Sequence, residues 1–229
     1  MYSINYDKMK NITRILHIEE VTHDVKCFRI EKPAGYQFVP GQATDVAINK
    51  PGYEEEKRPF TFTCLNEAGY LEFTIKRYTD HQGVTEQLHQ LQTGDELIIE
   101  DPWGVIEYKG PGYFIAGGVG ITPFIAILRS LHKDNNTAGN QLFFSNKTTA
   151  DIIYEKELKE ILGDNAIYLL SKENREGYTS GRLDENFFKE NVRDFQKHFY
   201  VCGPDMMVED ITQLLEKLGV NVDAVVFEK

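Results

Sequence analysis

A two-domain chain, a small antiparallel β-barrel followed by a parallel α/β layer, is the fold class that this sequence predicts. Three observations carry it. The first hundred or so residues break into short strand-like runs separated by Gly/Pro-rich turns, the signature of a small barrel. After Lys109-Gly110-Pro111-Gly112 the texture changes, and strand-like runs alternate with helical ones, which implies a parallel sheet with helices on both faces. The length of 229 residues, 41% of them hydrophobic, suits two modest cores rather than a minimal domain.

In chain order, strands are expected over 12–21, 25–31, 43–49, 58–65, 70–77 and 95–100. Alternation is plainest in Tyr70–Lys76, where Leu71, Phe73 and Ile75 share one face. Turn signals fall between the runs at Lys32-Pro33-Ala34-Gly35, Pro40-Gly41, Pro51-Gly52, Asn66–Gly69 and Thr93-Gly94-Asp95. One short helix, from Val84 to Leu91, interrupts them. Beyond residue 110 the strand and helix pairs are 113–116 with 123–132, 141–145 with 151–162, 166–170 with 184–190, and 198–202 with 205–218, closed by Ala224–Phe227. The domains are therefore expected at 1–109 and 110–229.

Composition narrows the function. A net charge of −11 argues against nucleic acid or an anionic membrane as the main partner, although Lys57-Arg58 and Lys76-Arg77 leave room for a local basic patch. Cys27, Cys64 and Cys202 are too few and too widely spaced for a disulfide framework, a zinc ribbon or an iron–sulfur cluster, so no metal is expected. The N-terminus shows no signal-peptide pattern. The most apolar stretch, 113–128, is broken by glycines and a proline and makes a poor membrane span. The simplest location is the cytoplasm, and the sequence does not specify an oligomeric state.

Gly117-Gly118-Val119-Gly120-Ile121-Thr122-Pro123-Phe124 lies between an apolar strand, Tyr113–Ala116, and a helical run. Its glycines let backbone amides approach a ligand, and Thr122 is expected to cap the helix that Pro123 opens. A strand, a glycine turn and a helix N-terminus make a site for a phosphate or pyrophosphate; the alternative is a tight strand-to-helix connection. Pro123 stands where the common G-x-G-x-x-G fingerprint has its last glycine, and no lysine follows as in a triphosphate loop.

Other candidates have two readings each. Arg58 offers a permanently charged fork suited to a pyrophosphate, or an exposed strand arginine paired with Glu54, Glu55 or Glu56. Phe60 offers a flat face for a ring system, or a core aromatic; Thr61 turns its hydroxyl to the opposite face. Cys202 ends an apolar strand, as a small buried hydrophobe or where parallel sheets hold their ligands. Ser145-Asn146-Lys147 and Ser171–Arg175 bring hydroxyls and cations to two strand ends, as ligand contacts or as solvated loops.

Taken in order, these motifs resemble the ferredoxin–NADP reductase superfamily along nearly the whole chain. Arg58-Pro59-Phe60-Thr61 resembles its R-x-Y-S/T flavin motif, the glycine run its pyridine-nucleotide loop, and Tyr200-Val201-Cys202-Gly203-Pro204 its C-G-P motif. Softer matches are Phe38–Gln42, Gly83-Val84-Thr85 and Asp101–Gly104. The resemblance implies an N-terminal six-stranded Greek-key flavin-binding barrel and a C-terminal NAD(P)-binding α/β domain. It implies that Arg58, Pro59, Phe60 and Thr61 hold an FAD, with the Thr61 hydroxyl at the flavin N5. Ile75, Lys76 and Arg77 line the flavin, while Gly83, Val84 and Thr85 hold its phosphates. Gly117, Gly118, Val119, Gly120, Thr122 and Pro123 grip the coenzyme, and Cys202, Gly203 and Pro204 lie beside its nicotinamide. Lys147, Ser171 and Lys172 read a 2′-phosphate, and no acid directly follows the second strand, a slight lean to NADPH. Glu228 matches the family's catalytic glutamate, alongside Thr61 and Cys202, but the aromatic that relatives carry after it is missing; Phe227 could fill part of that role or belong to a strand core.

The implied function is hydride transfer from NAD(P)H to bound FAD, then single electrons to ferredoxin or flavodoxin. Three alternatives stay open: a flavin reductase using free flavin, an oxygenase reductase served by a separate ferredoxin, and a non-enzymatic nucleotide-binding regulatory module.

Overall fold

A computed structural model describes residues 10–78, 83–104 and 106–221, with the backbone alone at 225–227. The first sheet is antiparallel and comprises β1 (Asn11–Thr22), β2 (Val25–Glu31), β3 (Ala43–Ile48), β4 (Arg58–Thr61), β5 (Tyr70–Lys76) and β6 (Glu96–Ile99). Their order is β4-β3-β6-β1-β2-β5, and a bridge between Phe62 and Phe73 brings the two edges together into a barrel. Inward-facing Ile15, Phe28, Val46, Phe62, Phe73 and Leu97, each fully buried, form its core, with Val84 and Leu88 of the short helix α1 (Val84–Leu88) as a plug.

β4 stops at Thr61 rather than running to residue 65, because the chain changes partners there. Phe62 N–H donates to Gln42 and Thr63 N–H donates to Glu72 on β5, so the strand leaves its own sheet to make the barrel seam. Helix α1 ends at Leu88, short of Leu91, and the remaining residues form turns.

The second sheet is parallel throughout: β7 (Gly112–Gly117), β8 (Gln141–Asn146), β9 (Ala166–Leu170), β10 (Thr179–Ser180), β11 (His198–Cys202) and β12 (Val225–Phe227), in the order β10-β9-β8-β7-β11-β12. Alternation divides its side chains cleanly. Phe114, Phe144 and Tyr200 face α2 (Thr122–Lys133) and α3 (Glu155–Leu162), while Tyr113, Phe143 and Phe199 face α4 (Glu185–Asn191) and α5 (Asp205–Lys217). β10 escaped the sequence reading because its two exposed residues carry no apolar pattern.

Two helix starts differ from expectation. The run expected to be helical from 151 opens α3 only at Glu155. Thr148 and Asp151 form a capping box on a 3-10 turn, and Tyr154 takes a left-handed conformation (φ 51°) that breaks the run. Thr122 does not cap α2. A 3-10 turn over Gly118–Ile121 leads into the helix, Thr122 is already helical (φ −57°), and its hydroxyl donates to the Val119 carbonyl at 3.0 Å.

The two sheets are tied along their connection. Tyr200 Oη accepts from the amides of Lys109 and Gly110 and donates to the Gly110 carbonyl at 2.7 Å. Val25 of the barrel and Ile106 of the connection are buried in the α2–α3 core.

Candidate active site

The strand order fixes where a ligand belongs. From β7 the chain proceeds outward to β8 and β9, then returns to place β11 on the other side of β7. The carboxyl ends of β7 and β11 therefore flank the switch point, where open parallel sheets hold ligands. Gly117–Gly120 leaves one of these ends and Cys202–Pro204 the other. Both face the barrel across a cleft of about 780 Å³.

The barrel wall of the cleft presents Pro59, Phe60 and Thr61 from β4, Ile75 and Lys76 from β5, and Thr85 from α1. The sheet wall presents Gly117, Gly118, Val119, Gly120, Thr122, Lys147, Ser171, Cys202, Gly203 and Pro204. Six residues singled out from sequence stand elsewhere. Arg58 is exposed at the edge of β4, 3.7 Å from Glu56, with its guanidinium donating to the Lys57 carbonyl. Arg77 is exposed, and its amide donates to Asp24. Val84 is buried in the barrel core, Pro123 in the first turn of α2, and exposed Lys172 meets Lys147 only through a backbone hydrogen bond. Gly83 is the N-cap of α1 and does not line the cleft. Glu228 lies outside the described residues.

The cleft also uses residues that the sequence did not single out: Val25, Thr74, Tyr78, Asp151, Ile153, Asp205 and Met207. Thr74 had a signal in its place on the same strand as Ile75, and Asp205 and Met207 in opening the helix after Pro204. Tyr78, beyond the last alternating residue of β5, had none.

Charge at the rim is largely matched within the protein. Lys76 pairs with Asp24 at 2.8 Å; burial pushes the Asp24 carboxyl up, but Lys76 outweighs it and the net shift is downward. Asp151 accepts the Thr148 amide at 2.8 Å and its hydroxyl at 2.6 Å. Exposed Lys147 lines the cleft beside Ser171.

Two features fit a dinucleotide. Asn146, at the carboxyl end of β8, is 5% exposed and lines the cleft, and neither its amide nitrogen nor its oxygen has a hydrogen-bond partner. Buried polar atoms are rarely left so, and a polar ligand supplies what is missing. At the glycine turn, a Cβ on Gly120 would run into the Cys202 carbonyl, so the two ligand-facing segments pack backbone to backbone. Gly118 takes φ +53° with open space before it, leaving its peptide accessible. Among the described residues no cluster of His, Cys, Asp or Glu could hold a metal, and no helix is long and apolar enough to cross a membrane.

Residues 13–108 match the oxidoreductase FAD-binding domain and residues 114–213 the oxidoreductase NAD-binding domain, which places the protein in the class of paired FAD- and NAD-binding oxidoreductase modules. The chain belongs to the ferredoxin–NADP reductase-like superfamily. It is 29% identical to the reductase component of propane 2-monooxygenase from Rhodococcus jostii, over 95% of this chain and 62% of that protein. It is 28% identical to NADH-cytochrome b5 reductase 2-A from Vanderwaltozyma polyspora, over 92% of this chain and 81% of that protein. A ferredoxin NADP+ reductase from Neisseria gonorrhoeae, solved with FAD and NADP, shares the fold with a TM-score of 0.81 at 19% identity, over 92% of each chain. The chain spans 61–66% of the length of curated monooxygenase reductase components that it matches.

Proposed function

We propose that this protein transfers hydride from NAD(P)H to a bound FAD and passes the electrons singly to a ferredoxin- or flavodoxin-type carrier. The observation that carries this reading is the shared cleft: Phe60 and Thr61 form one wall and Gly117–Gly120 with Cys202–Pro204 form the other. When bound, FAD supplies a two-electron acceptor that can release its electrons one at a time. The chain's own residues supply placement. Phe60 offers a half-buried ring face, and Thr61, 7% exposed, lines the same wall with a hydroxyl that would serve a bound flavin. Arg58, exposed at the edge of β4 outside the cleft lining, and the amides of Gly83, Val84 and Thr85 keep the phosphate-binding roles that the resemblance gives them. Gly118–Gly120 would hold the coenzyme pyrophosphate, Cys202 and Pro204 would flank its nicotinamide, and Asn146 would offer it a donor and an acceptor. Glu228 keeps the catalytic role that the resemblance gives it.

Lys147 and Ser171 on the cleft wall support the preference for NADPH, and Asp151, a carboxylate on the same wall, is already engaged by Thr148. The carrier is supported by relatives named as reductase components of monooxygenases. The domain division at 109/110 is supported by the stretch between β6 and β7. A cytoplasmic setting is supported by three buried cysteines, none in a disulfide.

An absorption spectrum recorded during anaerobic NADPH titration tests the reading. Flavin retained through dialysis and bleached by the coenzyme is the expected result. Flavin lost on dialysis but turned over when added freely points to a flavin reductase, and a colourless protein that oxidises no NAD(P)H with any artificial acceptor overturns the enzyme reading.

A further inference from the structure

One buried ionic cluster joins the two walls of the cleft from behind. Glu72 on β5 is 1% exposed. It accepts from Arg29 at 2.9 Å and, through its other oxygen, from Thr63 at 2.9 Å and from Arg129 of α2 at 2.7 Å. Arg129 belongs to the helix that the glycine turn opens, and its guanidinium reaches out of its own domain. It also donates to the Thr63 carbonyl at 2.6 Å, and it forks onto Glu157 of α3 at 2.5 and 2.9 Å. Its plane lies over the Tyr154 ring, whose hydroxyl meets Thr74 of β5 at 3.1 Å. Tyr154 adopts the strained left-handed conformation that aims it there.

The residues gripped are close neighbours of those that line the cleft. Thr63 is two residues beyond Thr61, Glu72 and Thr74 share β5 with Ile75 and Lys76, and Arg129 lies about two turns into the helix that follows Gly118–Gly120. We propose that Arg129, assisted by Tyr154, is a positioning residue: it fixes the barrel wall against the nucleotide wall and so sets the separation across which hydride passes. Lysine cannot replace it, because only a planar fork serves Glu72, the Thr63 carbonyl and Glu157 together. The proposal rests on the FAD and NAD(P)H reading of the cleft.

The test compares wild type, R129M, R129K and Y154F, each loaded with FAD. Stopped-flow reduction by NADPH is expected to slow by about tenfold or more in R129M, since misplacement on the ångström scale costs that much or more. R129K recovers only part of the rate, and Y154F loses less. Flavin content and NADP+ affinity stay near wild type, which separates positioning from loss of either binding site. Small-angle scattering of the coenzyme-free protein supplies a readout apart from activity, with a larger radius of gyration expected in R129M. If R129M does not fold, R129K and Y154F decide. Variants that fold, reduce flavin at the wild-type rate and scatter like wild type overturn the proposal. Failure of the flavin reading shows separately, as wild-type protein that holds no FAD, and scattering then still supports or overturns the domain-setting role.

Discussion

At the scale of single residues, Asn146 is the plainest sign that the cleft expects a polar guest. Two unsatisfied polar atoms at a buried position destabilise the ligand-free protein. N146L should therefore melt no lower than wild type without coenzyme, while its KM for the coenzyme rises about tenfold, in line with losing a buried hydrogen-bonding pair. Calorimetry with and without NADP+, set beside steady-state kinetics, checks both halves. Loss of stability with unchanged KM removes Asn146 from the site. Two of the cleft glycines separate in the same way. G118A meets open space and pays only for its left-handed backbone, about 1 kcal/mol. G120A drives a methyl group into the Cys202 backbone, so urea melts should show about 2 kcal/mol or more, with weakened coenzyme binding. Lys147 has a sharper signature: K147Q should raise KM for NADPH several-fold and leave KM for NADH unchanged, and equal effects on both coenzymes remove the 2′-phosphate assignment.

At the scale of elements, the Glu72–Arg129 link between β5 and α2 governs acid stability. Burial pushes the Glu72 carboxyl up, but Arg129 first and Arg29 after it outweigh burial and hold the folded value below the ordinary 4.5. A depressed carboxylate contributes stability above its unfolded pKa, and that contribution is lost as pH falls below 4.5 and through the folded value. Wild type should lose melting temperature as pH falls below 4.5, and E72Q, already lower at pH 7, should show a shallower slope. Removing Arg129 alone at pH 7 should cost about 3 kcal/mol, because Glu72 stays buried with less compensation.

Much of this level was legible in the sequence, and the exceptions share a cause. Leu71, Phe73 and Ile75 announced β5 because one face is buried and strands alternate. β4 ran short and α3 began late because a distant partner decided each boundary, Glu72 for the end of β4 and Thr74 for Tyr154, while Thr122 failed to cap because the adjacent 3-10 turn already carries it into the helix. The cleft residues came from glycine, proline and cysteine in ordered motifs. Arg129 was invisible, since an arginine in an amphipathic helix reads as a solvated face until the barrel is set against it.

At the scale of the whole molecule, a chain of net charge −11 meets an acidic carrier only through local basic surface. Lys57 is taken by Glu100 at 2.5 Å, which leaves exposed Arg77 and Arg58 on the barrel side. Electron transfer from the reduced flavin to an oxidised acceptor of the ferredoxin type should slow as ionic strength rises, and R77E should slow it at low salt without altering reduction by NADPH. An insensitive rate points to a different docking face or a neutral acceptor.

The barrel seam has a consequence of its own. Where Phe62 meets Phe73 the cylinder is closed by a short join, and Arg129 grips both sides of it, the Thr63 carbonyl and the Glu72 carboxylate. The nucleotide domain thus acts as a buckle on the flavin domain. Flavin retention is then a property of the joined pair, and a barrel expressed alone should open along this join and release its flavin more readily than the whole chain.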